Sequence, residues 1–373
     1  MQNIYLFNPD NDLALAHGGG HYVAPPFAQK MQHDLCTLPM WYASKGSKVV
    51  VENEEMVHWV ASTSTQFNLG IEGITPNELN NTSPDSQFMP WGWSGTIKRR
   101  LIKKGVDASL LPTDKRLAKI MQLAHRKTSI IVHEKISQLL GRRCSPIPQI
   151  FNKISDVINF AAEHKGCFVK MPYSGSGQGI FCALRPESTD FENWCKGALK
   201  RQGELICEVG LNKKMDFALE FQCKSGNVDF LGYSVFESDA HSQYSTGLVT
   251  SPTILEQKIA ENYIEINQIK ETIAMVIADI YATHYEGFLG VDMLLYDDGN
   301  GHIDIDPCVE VNLRATMGVV TCEIGKRIMK KETSGIFRIE YEKNGFPTKD
   351  QENRLYLTPI LTDTQYCAYI DFD

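Results

Sequence analysis

The segment FVKMPYSGSGQGIFCAL, residues 168–184, decides how the chain is interpreted. Gly175, Gly177 and Gly179 alternate with small polar residues, which leaves backbone N–H groups free to approach an anion. Lys170 lies on the preceding strand, where its ammonium can meet a phosphate. The spacing is not that of a Walker A loop, and a strand rather than a helix follows, so the Rossmann pattern is excluded too. A hairpin whose tip covers phosphates and a plain hairpin turn both remain open.

Acidic residues near the C-terminal hairpin form the second motif. Asp292 interrupts the apolar strand GFLGVDMLLY, and Glu310, Asn312 and Arg314 follow at alternate positions of DIDPCVEVNLR. Alternate residues of a strand share one face. Two carboxylates and an amide oxygen suit Mg²⁺, and an arginine beside them suits a phosphoryl group or an oxyanion. An edge strand with its charged face in water is the alternative.

The identity of the third metal ligand stays open at this point. Asp304 and Asp306 point in the same direction as Glu310 by strand parity. Either of them can therefore replace or supplement Asp292.

A possible hinge follows the glycine hairpin. Glu208 ends the apolar strand ELICEVG, and Glu220 lies inside the next strand. A glutamate in this place can accept hydrogen bonds from a ribose, while the backbone around Val209 meets an adenine edge. A surface glutamate at the end of a strand is the alternative interpretation.

Composition excludes several classes of protein. The 373 residues predict two or three domains. Lys and Arg number 37 against 45 Asp and Glu, a net charge of −8 that argues against a sequence-blind nucleic-acid binder. No apolar run reaches the ~18–20 residues that a bilayer requires, and the N-terminus lacks a basic region followed by an apolar one. The ten cysteines include no C-x-x-C pair and suggest buried reduced thiols. We expect a soluble, cytoplasmic protein without nucleic-acid or membrane partners.

The organisation of the chain predicts a mixed α/β protein. A strand at 3–7, a helix at 27–43 and the strand KVVVE begin an α/β layer. Residues 62–95 are rich in Ser, Thr, Asn and Pro and predict a looser region. A single long helix is expected over 252–285, and a domain boundary near residue 113.

Taken in chain order, these motifs resemble the ATP-grasp superfamily of ATP-dependent carboxylate–amine and carboxylate–thiol ligases. The elements are Arg126-Lys127-Thr128 at a helix start, Lys170 with the glycine hairpin, the hinge glutamate and D…E-x-N-x-R. The resemblance covers about residues 113–330. It implies an α/β (α+β) class, with an ATP-grasp fold of two α+β subdomains behind a small α/β domain. The expected limits are 1–112, 113–200 and 201–373.

The resemblance also implies a role for each motif. Lys127 and Lys170 would grip the ATP phosphates, Glu208 and Val209 would meet the ribose and adenine, and Arg314 would contact the transferred phosphate or acyl oxygen. The implied phosphate-covering residues are Ser174, Gly175, Ser176, Gly177 and Gly179, and the implied ligands of two Mg²⁺ ions are Asp292, Glu310 and Asn312.

Three features depart from the family pattern. Gly290 stands where an arginine usually precedes the metal-binding aspartate, and Arg126 stands where an acid is common. The stretch between Asp292 and Glu310 is also longer than usual.

The implied reaction activates a small-molecule or peptide carboxylate as an acyl phosphate, which an amine or thiol then attacks. ATP and Mg²⁺ are the implied cofactors, and the oligomeric state is open. A kinase of a small acceptor and a nucleotide-binding module without turnover are the alternatives.

Two loops offer weaker candidates for substrate contact. His241 and Tyr244 lie in FESDAHSQYSTG, which borders the reacting carboxylate if the resemblance holds. Asn8 and Asp10 follow the first strand, where α/β folds place ligand sites. A solvated loop is the alternative for the first pair.

Overall fold

The computed structural model describes residues 2–18, 21–175, 179–239, 244–330, 333–347 and 352–372. Within these residues, helices and strands are both abundant and the strands form three sheets, which confirms the predicted mixed α/β class. Among the described residues, no helix has the length and apolar character that a membrane crossing requires.

The N-terminal sheet is parallel, with strand order β3-β2-β1-β4. A parallel sheet requires crossover connections, and helices supply them here. The strands are β1 (Gln2–Leu6), β2 (Lys48–Val50), β3 (Glu72–Ile74) and β4 (Ser86–Pro90), and the helices are α1 (Asn11–Ala16), α2 (Pro26–Leu35), α3 (Glu54–Gln66) and α4 (Gly95–Lys103). The region 62–95, predicted to be loose, therefore contains β3, β4 and the end of α3.

Two helices connect the N-terminal sheet to the remainder: α5 (Asp114–Leu123) and α6 (Arg126–Leu140). Thr113 caps α5 by accepting a hydrogen bond from the backbone N–H of Arg116 at 3.2 Å. The sharp turn between α5 and α6 brings Arg126 to the first position of α6. This turn becomes important for the site.

The small sheet carries the glycine-rich hairpin. It is antiparallel, with strand order β5-β8-β6-β7. Its strands are β5 (Gln149–Phe151), β6 (Cys167–Lys170), β7 (Ile180–Ala183) and β8 (Leu205–Glu208), and its helices are α7 (Ile154–Glu163) and α8 (Thr189–Gln202). The limit expected between residues 200 and 201 falls inside α8, and β8 beyond it still pairs in the small sheet. The three domain limits stay predictions.

The large sheet has eight antiparallel strands in the order β13-β12-β9-β10-β11-β14-β16-β15. Two helices, with a break at 261–265, replace the single helix predicted over 252–285. The strands are β9 (Asn212–Lys224), β10 (Asn227–Ser238), β11 (Tyr244–Val249), β12 (Gly287–Asp297), β13 (Ile303–Asn312), β14 (Gly335–Tyr341), β15 (Arg354–Tyr356) and β16 (Tyr366–Phe372), and the helices are α9 (Pro252–Ala260), α10 (Ile266–Tyr281) and α11 (Met317–Arg327).

Apolar packing fixes the N-terminal sheet against the large sheet. Trp41, which is fully buried, shares one core with Val320 of α11 and Phe337 of β14. Its indole Nε1 also donates to the backbone oxygen of Leu357 at 2.8 Å. Because burying a large aromatic side chain contributes about 2–3 kcal/mol, this contact stabilises the joint that brings α1 to the end of β13.

Close packing of α11 gives a test of this arrangement. A Cβ at Gly325 would lie 2.4 Å from the backbone oxygen of Thr250, so we expect Gly325→Ala to lower the free energy of unfolding by about 2 kcal/mol. At Gly197 in α8 the nearest atom would be 3.6 Å away, so Gly197→Ala should raise it by about 0.5–1 kcal/mol. Urea unfolding measures both values. Equal stability of Gly325→Ala and the parent protein would contradict the packing of α11.

Candidate active site

The start of the glycine loop faces the paired ends of β12 and β13 across a narrow cleft. We define the glycine loop as residues 171–179, between β6 and β7. Ser174 lines the cleft from the loop, Glu310 and Asn312 line it from β13, and Asp12 lines it from α1. Ser176 and Gly177, two of the predicted phosphate-covering residues, lie outside the described residues.

The predicted metal-binding residues lie together. Asp292 pairs directly with Glu310 across β12 and β13, so both carboxylates point to one face. The amide Nδ2 of Asn312 donates to Asp292 at 2.8 Å, and the guanidinium of Arg314 donates to Asn312 Oδ1 at 2.9 Å. β13 ends at Asn312, so Arg314 lies beyond the strand and not within it. Burial and the charge of Glu310 raise the pKa of Asp292 to about 7.

A shift in the pairing of β12 and β13 separates the three candidate aspartates. Leu294 pairs with Asp306, two positions out of step with the pair Asp292–Glu310. Asp304 forms an ion pair with Arg142 at 3.1 Å. Asp306 is buried 4.0 Å from His133 Nδ1, and burial raises its pKa to about 6. Of the three, Asp292 is the one that lies opposite Glu310.

Arg126, not Lys127, enters the cleft. Lys127 is exposed, whereas Arg126 is buried at the start of α6. Its guanidinium donates to the backbone oxygen of Met171 at 2.5 Å and to Ser174 Oγ at 2.7 Å. The same group contacts both carboxylate oxygens of Glu310, at 2.8 and 2.9 Å. Arg126 therefore connects the glycine loop to β13.

Lys170 and Glu208 meet at the ends of neighbouring strands. The ammonium of Lys170 lies 2.5 Å from Glu208 Oε2, and Lys170 is only 5% exposed. Burial raises the pKa of Glu208, and the charge of Lys170 opposes that shift. Val209 follows directly and packs against the core of the small sheet. The structure thus brings the predicted phosphate-binding lysine and the hinge glutamate together.

Helix α1, which follows β1, contributes a residue that the sequence did not single out. Asp12 Oδ2 accepts a hydrogen bond from Arg314 Nε at 2.8 Å. Asn8 and Asp10, the predicted candidates, are engaged elsewhere: Asn8 donates to the backbone of Gly92 at 2.9 Å, and Asp10 pairs with Arg100 at 2.7 Å. A signal existed, because NPDND follows the first strand at a position typical of ligand sites.

Neither acceptor candidate near β11 is among the described residues that line this cleft. His241 is outside the described residues. Tyr244 packs with its ring 5.8 Å from that of Phe236 and 6.2 Å from that of Phe337. Burial raises the pKa of Tyr244 strongly, which favours a neutral hydroxyl.

Glu220 explains the glycine that departs from the family pattern. The Glu220 carboxylate is buried and accepts hydrogen bonds from Thr316 at 2.8 Å and Ser234 at 3.0 Å. A Cβ at Gly290 would lie 2.7 Å from Glu220 Oε2, and one at Gly318 would lie 1.9 Å from Oε1. A side chain at position 290 would therefore require Glu220 to shift away from its buried hydrogen bonds. Because Thr316 also caps α11, Glu220 holds the segment that follows Arg314.

The donor set suits magnesium. Among the described residues, no three or more His, Cys, Asp or Glu side chains are grouped to hold a metal ion. Mg²⁺, however, is commonly held by one or two carboxylates, with phosphates and water completing its shell. Asp292 and Glu310 are two carboxylates on one face, and burial together with the charge of Glu310 raises the pKa of Asp292, which a bound cation would oppose. Asn312 adds an amide oxygen beside them.

Comparisons with known proteins identify the fold. No protein-family model and no curated protein matches the sequence. Among solved structures, the biotin carboxylase domain of Hydrogenobacter thermophilus 2-oxoglutarate carboxylase, with MgADP, ADP and bicarbonate, is 16% identical over 87% of this chain and 86% of that chain, with a TM-score of 0.52. Campylobacter jejuni biotin carboxylase is 13% identical over 100% and 87%, with a TM-score of 0.54.

A third similar structure belongs to a different enzyme. Staphylococcus aureus N5-carboxyaminoimidazole synthetase, complexed with ADP, is 14% identical over 100% of this chain and 93% of that chain, with a TM-score of 0.50. These enzymes share the ATP-grasp fold. This chain has the same fold, which confirms the predicted architecture.

The buried Glu220 predicts a pH-dependent stability. Burial, reinforced by the charge of Asp292, raises the pKa of Glu220 from 4.5 to about 8. The folded state therefore keeps the proton to a higher pH than the unfolded state, and the stability that Glu220 contributes below about pH 4.5 is lost as pH rises toward 8. Glutamine does not titrate. The free energy of unfolding of Glu220→Gln, relative to the parent protein, should rise over this range in urea titrations.

Glu72 provides the control for this measurement, because its side chain is 63% exposed on β3. Glu72→Gln should stay within about 0.5 kcal/mol of the parent protein at every pH. If the curves for Glu220→Gln and the parent protein ran parallel from pH 4.5 to 8, the assignment of Glu220 as a buried, proton-retaining carboxyl group would be wrong.

Proposed function

We propose that this protein is a Mg²⁺-dependent ligase that uses ATP to activate a small-molecule or peptide carboxylate for attack by an amine or a thiol. The observation that carries the proposal is the double contact of Arg126, which touches the glycine loop at Ser174 and the acidic strand at Glu310. One buried cation thus lies between a backbone suited to phosphates and carboxylates suited to a metal ion.

The cations around the cleft provide binding groups for a triphosphate. Arg126 takes the place expected for Lys127, and Lys170 supplies the second positive charge. Both cations are paired with carboxylates here, so phosphate oxygens can replace those carboxylates without exposing a bare charge to a buried environment. Glu208 is then free to accept hydrogen bonds from the ribose, with Val209 beside the adenine.

The carboxylates on β12 and β13 would hold the metal. Asp292, Glu310 and Asn312 present oxygens on one face, next to the cations that bind the phosphates. Bound Mg²⁺ supplies charge neutralisation to the phosphates during transfer. The side chains then have to orient the nucleotide in line with the attacking oxygen.

The bond changes define the task of each group. A carboxylate oxygen of the substrate attacks the γ-phosphorus, the bond to the bridging oxygen breaks, and ADP leaves with the electron pair. The amine or thiol then attacks the acyl carbon, and inorganic phosphate leaves while the nucleophile loses its proton. Arg314 is placed to stabilise the oxyanion of that second step by donated hydrogen bonds. The glycine loop would exclude water, which otherwise hydrolyses the acyl phosphate.

The similar structures support the nucleotide part of this proposal. The biotin carboxylase domain of Hydrogenobacter thermophilus was solved with MgADP and bicarbonate, and the Staphylococcus aureus synthetase with ADP. The carboxylate and the nucleophile of this protein are not proposed beyond their chemical classes.

An ADP-release screen with Mg²⁺ against amino acids, short peptides and polyamines tests the function. We expect ADP release that requires both a carboxylate and an amine or thiol acceptor. Glu310→Gln should lower it roughly 100-fold or more, because the neutral amide is a weaker Mg²⁺ ligand. Circular dichroism checks that the variant folds. Persistent turnover in Glu310→Gln would remove Glu310 from the metal site, and a stable phosphorylated product formed without an amine or thiol would indicate a kinase.

A pair of neighbouring substitutions tests which basic residue binds phosphate. Arg126→Met should weaken ATP binding roughly 10- to 100-fold, because a buried guanidinium forms charge-assisted hydrogen bonds. Lys127→Met is the matched control and should change the Kd less than about threefold, since Lys127 is exposed. Isothermal titration calorimetry with an ATP analogue measures both. The reverse order of effects would restore Lys127 to the role that the sequence suggested.

A further inference from the structure

Asp12 lies where three parts of the chain meet, although the reaction proposed above gives it no task. It belongs to α1, near the carboxyl end of β1, and its carboxylate reaches Arg314, which is 302 positions later in the chain. It also lines the cleft beside Ser174 and Asn312. The N-terminal sheet, the glycine loop and the metal-binding strand therefore converge on this side chain.

The guanidinium of Arg314 is held on all three of its nitrogens. Nε donates to Asp12 Oδ2 at 2.8 Å, one terminal nitrogen donates to Asn312 at 2.9 Å, and the other donates to the backbone oxygen of Ala315 at 3.2 Å. Two of these acceptors are close neighbours in sequence and move with Arg314. Asp12 is the acceptor that comes from a separate part of the fold, so it determines how the guanidinium is turned relative to the cleft.

Gly175 lies so close to the same carboxylate that a side chain at this position would contact it. A Cβ at position 175 would lie 2.5 Å from Asp12 Oδ2 and 3.3 Å from its Cγ. No left-handed backbone conformation requires glycine at this position, so the contact with Asp12 is a structural reason for the lack of a side chain. The carboxylate has to shift to make room for a larger residue, and a shift disturbs its hydrogen bond to Arg314.

We propose that Asp12 is a positioning residue with two linked roles. It orients Arg314 toward the acyl or phosphoryl oxygen, and it forms the surface against which Gly175 docks the first half of the glycine loop. Assembly of the site then depends on the N-terminal sheet being in place. The first role rests on the proposed function, whereas the docking role rests on the contact itself.

Reciprocal substitutions test the docking role. Gly175→Ala should increase hydrogen exchange in the peptide 168–175, with Mg²⁺ and a non-hydrolysable ATP analogue present, by roughly tenfold because the added methyl collides with Asp12. Asp12→Ala removes the colliding atoms, so the double variant should return exchange to within about threefold of the parent protein. If hydrogen exchange in the double variant is as fast as in Gly175→Ala, the proposed docking of Gly175 against Asp12 is wrong. Gly197→Ala and Asp114→Asn are the controls, since both positions lie outside the cleft.

Kinetics test the positioning role. Asp12→Asn and the double variant should lower kcat roughly 10- to 100-fold while the KM for ATP changes less than about threefold, because Arg314 keeps its charge and loses its orientation. A purely structural role would instead lower stability without this split between kcat and KM. If the kcat of Asp12→Asn equals that of the parent protein, Asp12 does not position Arg314 for the reaction. If the parent protein releases no ADP with any substrate, the proposed function fails, and the exchange experiment still decides the docking contact.

Discussion

Two carboxylates placed opposite each other are the constraint on which the site depends. Asp292 and Glu310 occupy directly paired positions on β12 and β13, an arrangement that is unfavourable for like charges. The fold compensates with two guanidinium groups: the buried Arg126 contacts Glu310, and the partly buried Arg314 is linked to Asp292 through Asn312. These groups come from α6 and from the segment after β13. The charge that a metal ion would neutralise thus also determines which elements must pack together.

The residue types of the site were largely predictable, whereas the partners that hold them were not. Most of the predicted residues lie on strands, where order along the chain and alternation restrict their directions: Lys170, Glu208, Asp292, Glu310 and Asn312. Arg314 lies just beyond β13. Arg126 and Lys127 are adjacent at the start of a helix, where successive side chains point about 100° apart and the sequence does not say which one faces inward. The contact of Asp12 with Arg314 spans 302 positions and follows only from the packing of the sheets.

The fold shows the same division between local and long-range information. The long strands β9, β10, β12 and β13 were evident from their apolar patterns, and the hairpin after β12 from its turn residues. The strand KVVVE was predicted and contains β2, whereas β3 has only three residues, which is too few to show a period. The pairing of β2 and β3 in a parallel sheet is a long-range contact. The break between α9 and α10 was missed because apolar residues continue through the segment NYIEI at 262–266. The general architecture was accessible because motif order, rather than element bounds, identifies it.

A crystal structure with Mg²⁺ and a non-hydrolysable ATP analogue tests the central claim most directly. The claim is that the Arg126–Glu310 and Lys170–Glu208 pairs occupy the places of phosphate and ribose contacts. The expected result is that Arg126 and Lys170 donate to phosphate oxygens while Glu310 and Asp292 coordinate the metal. Both ion pairs intact, with the nucleotide bound away from the cleft, would contradict the account.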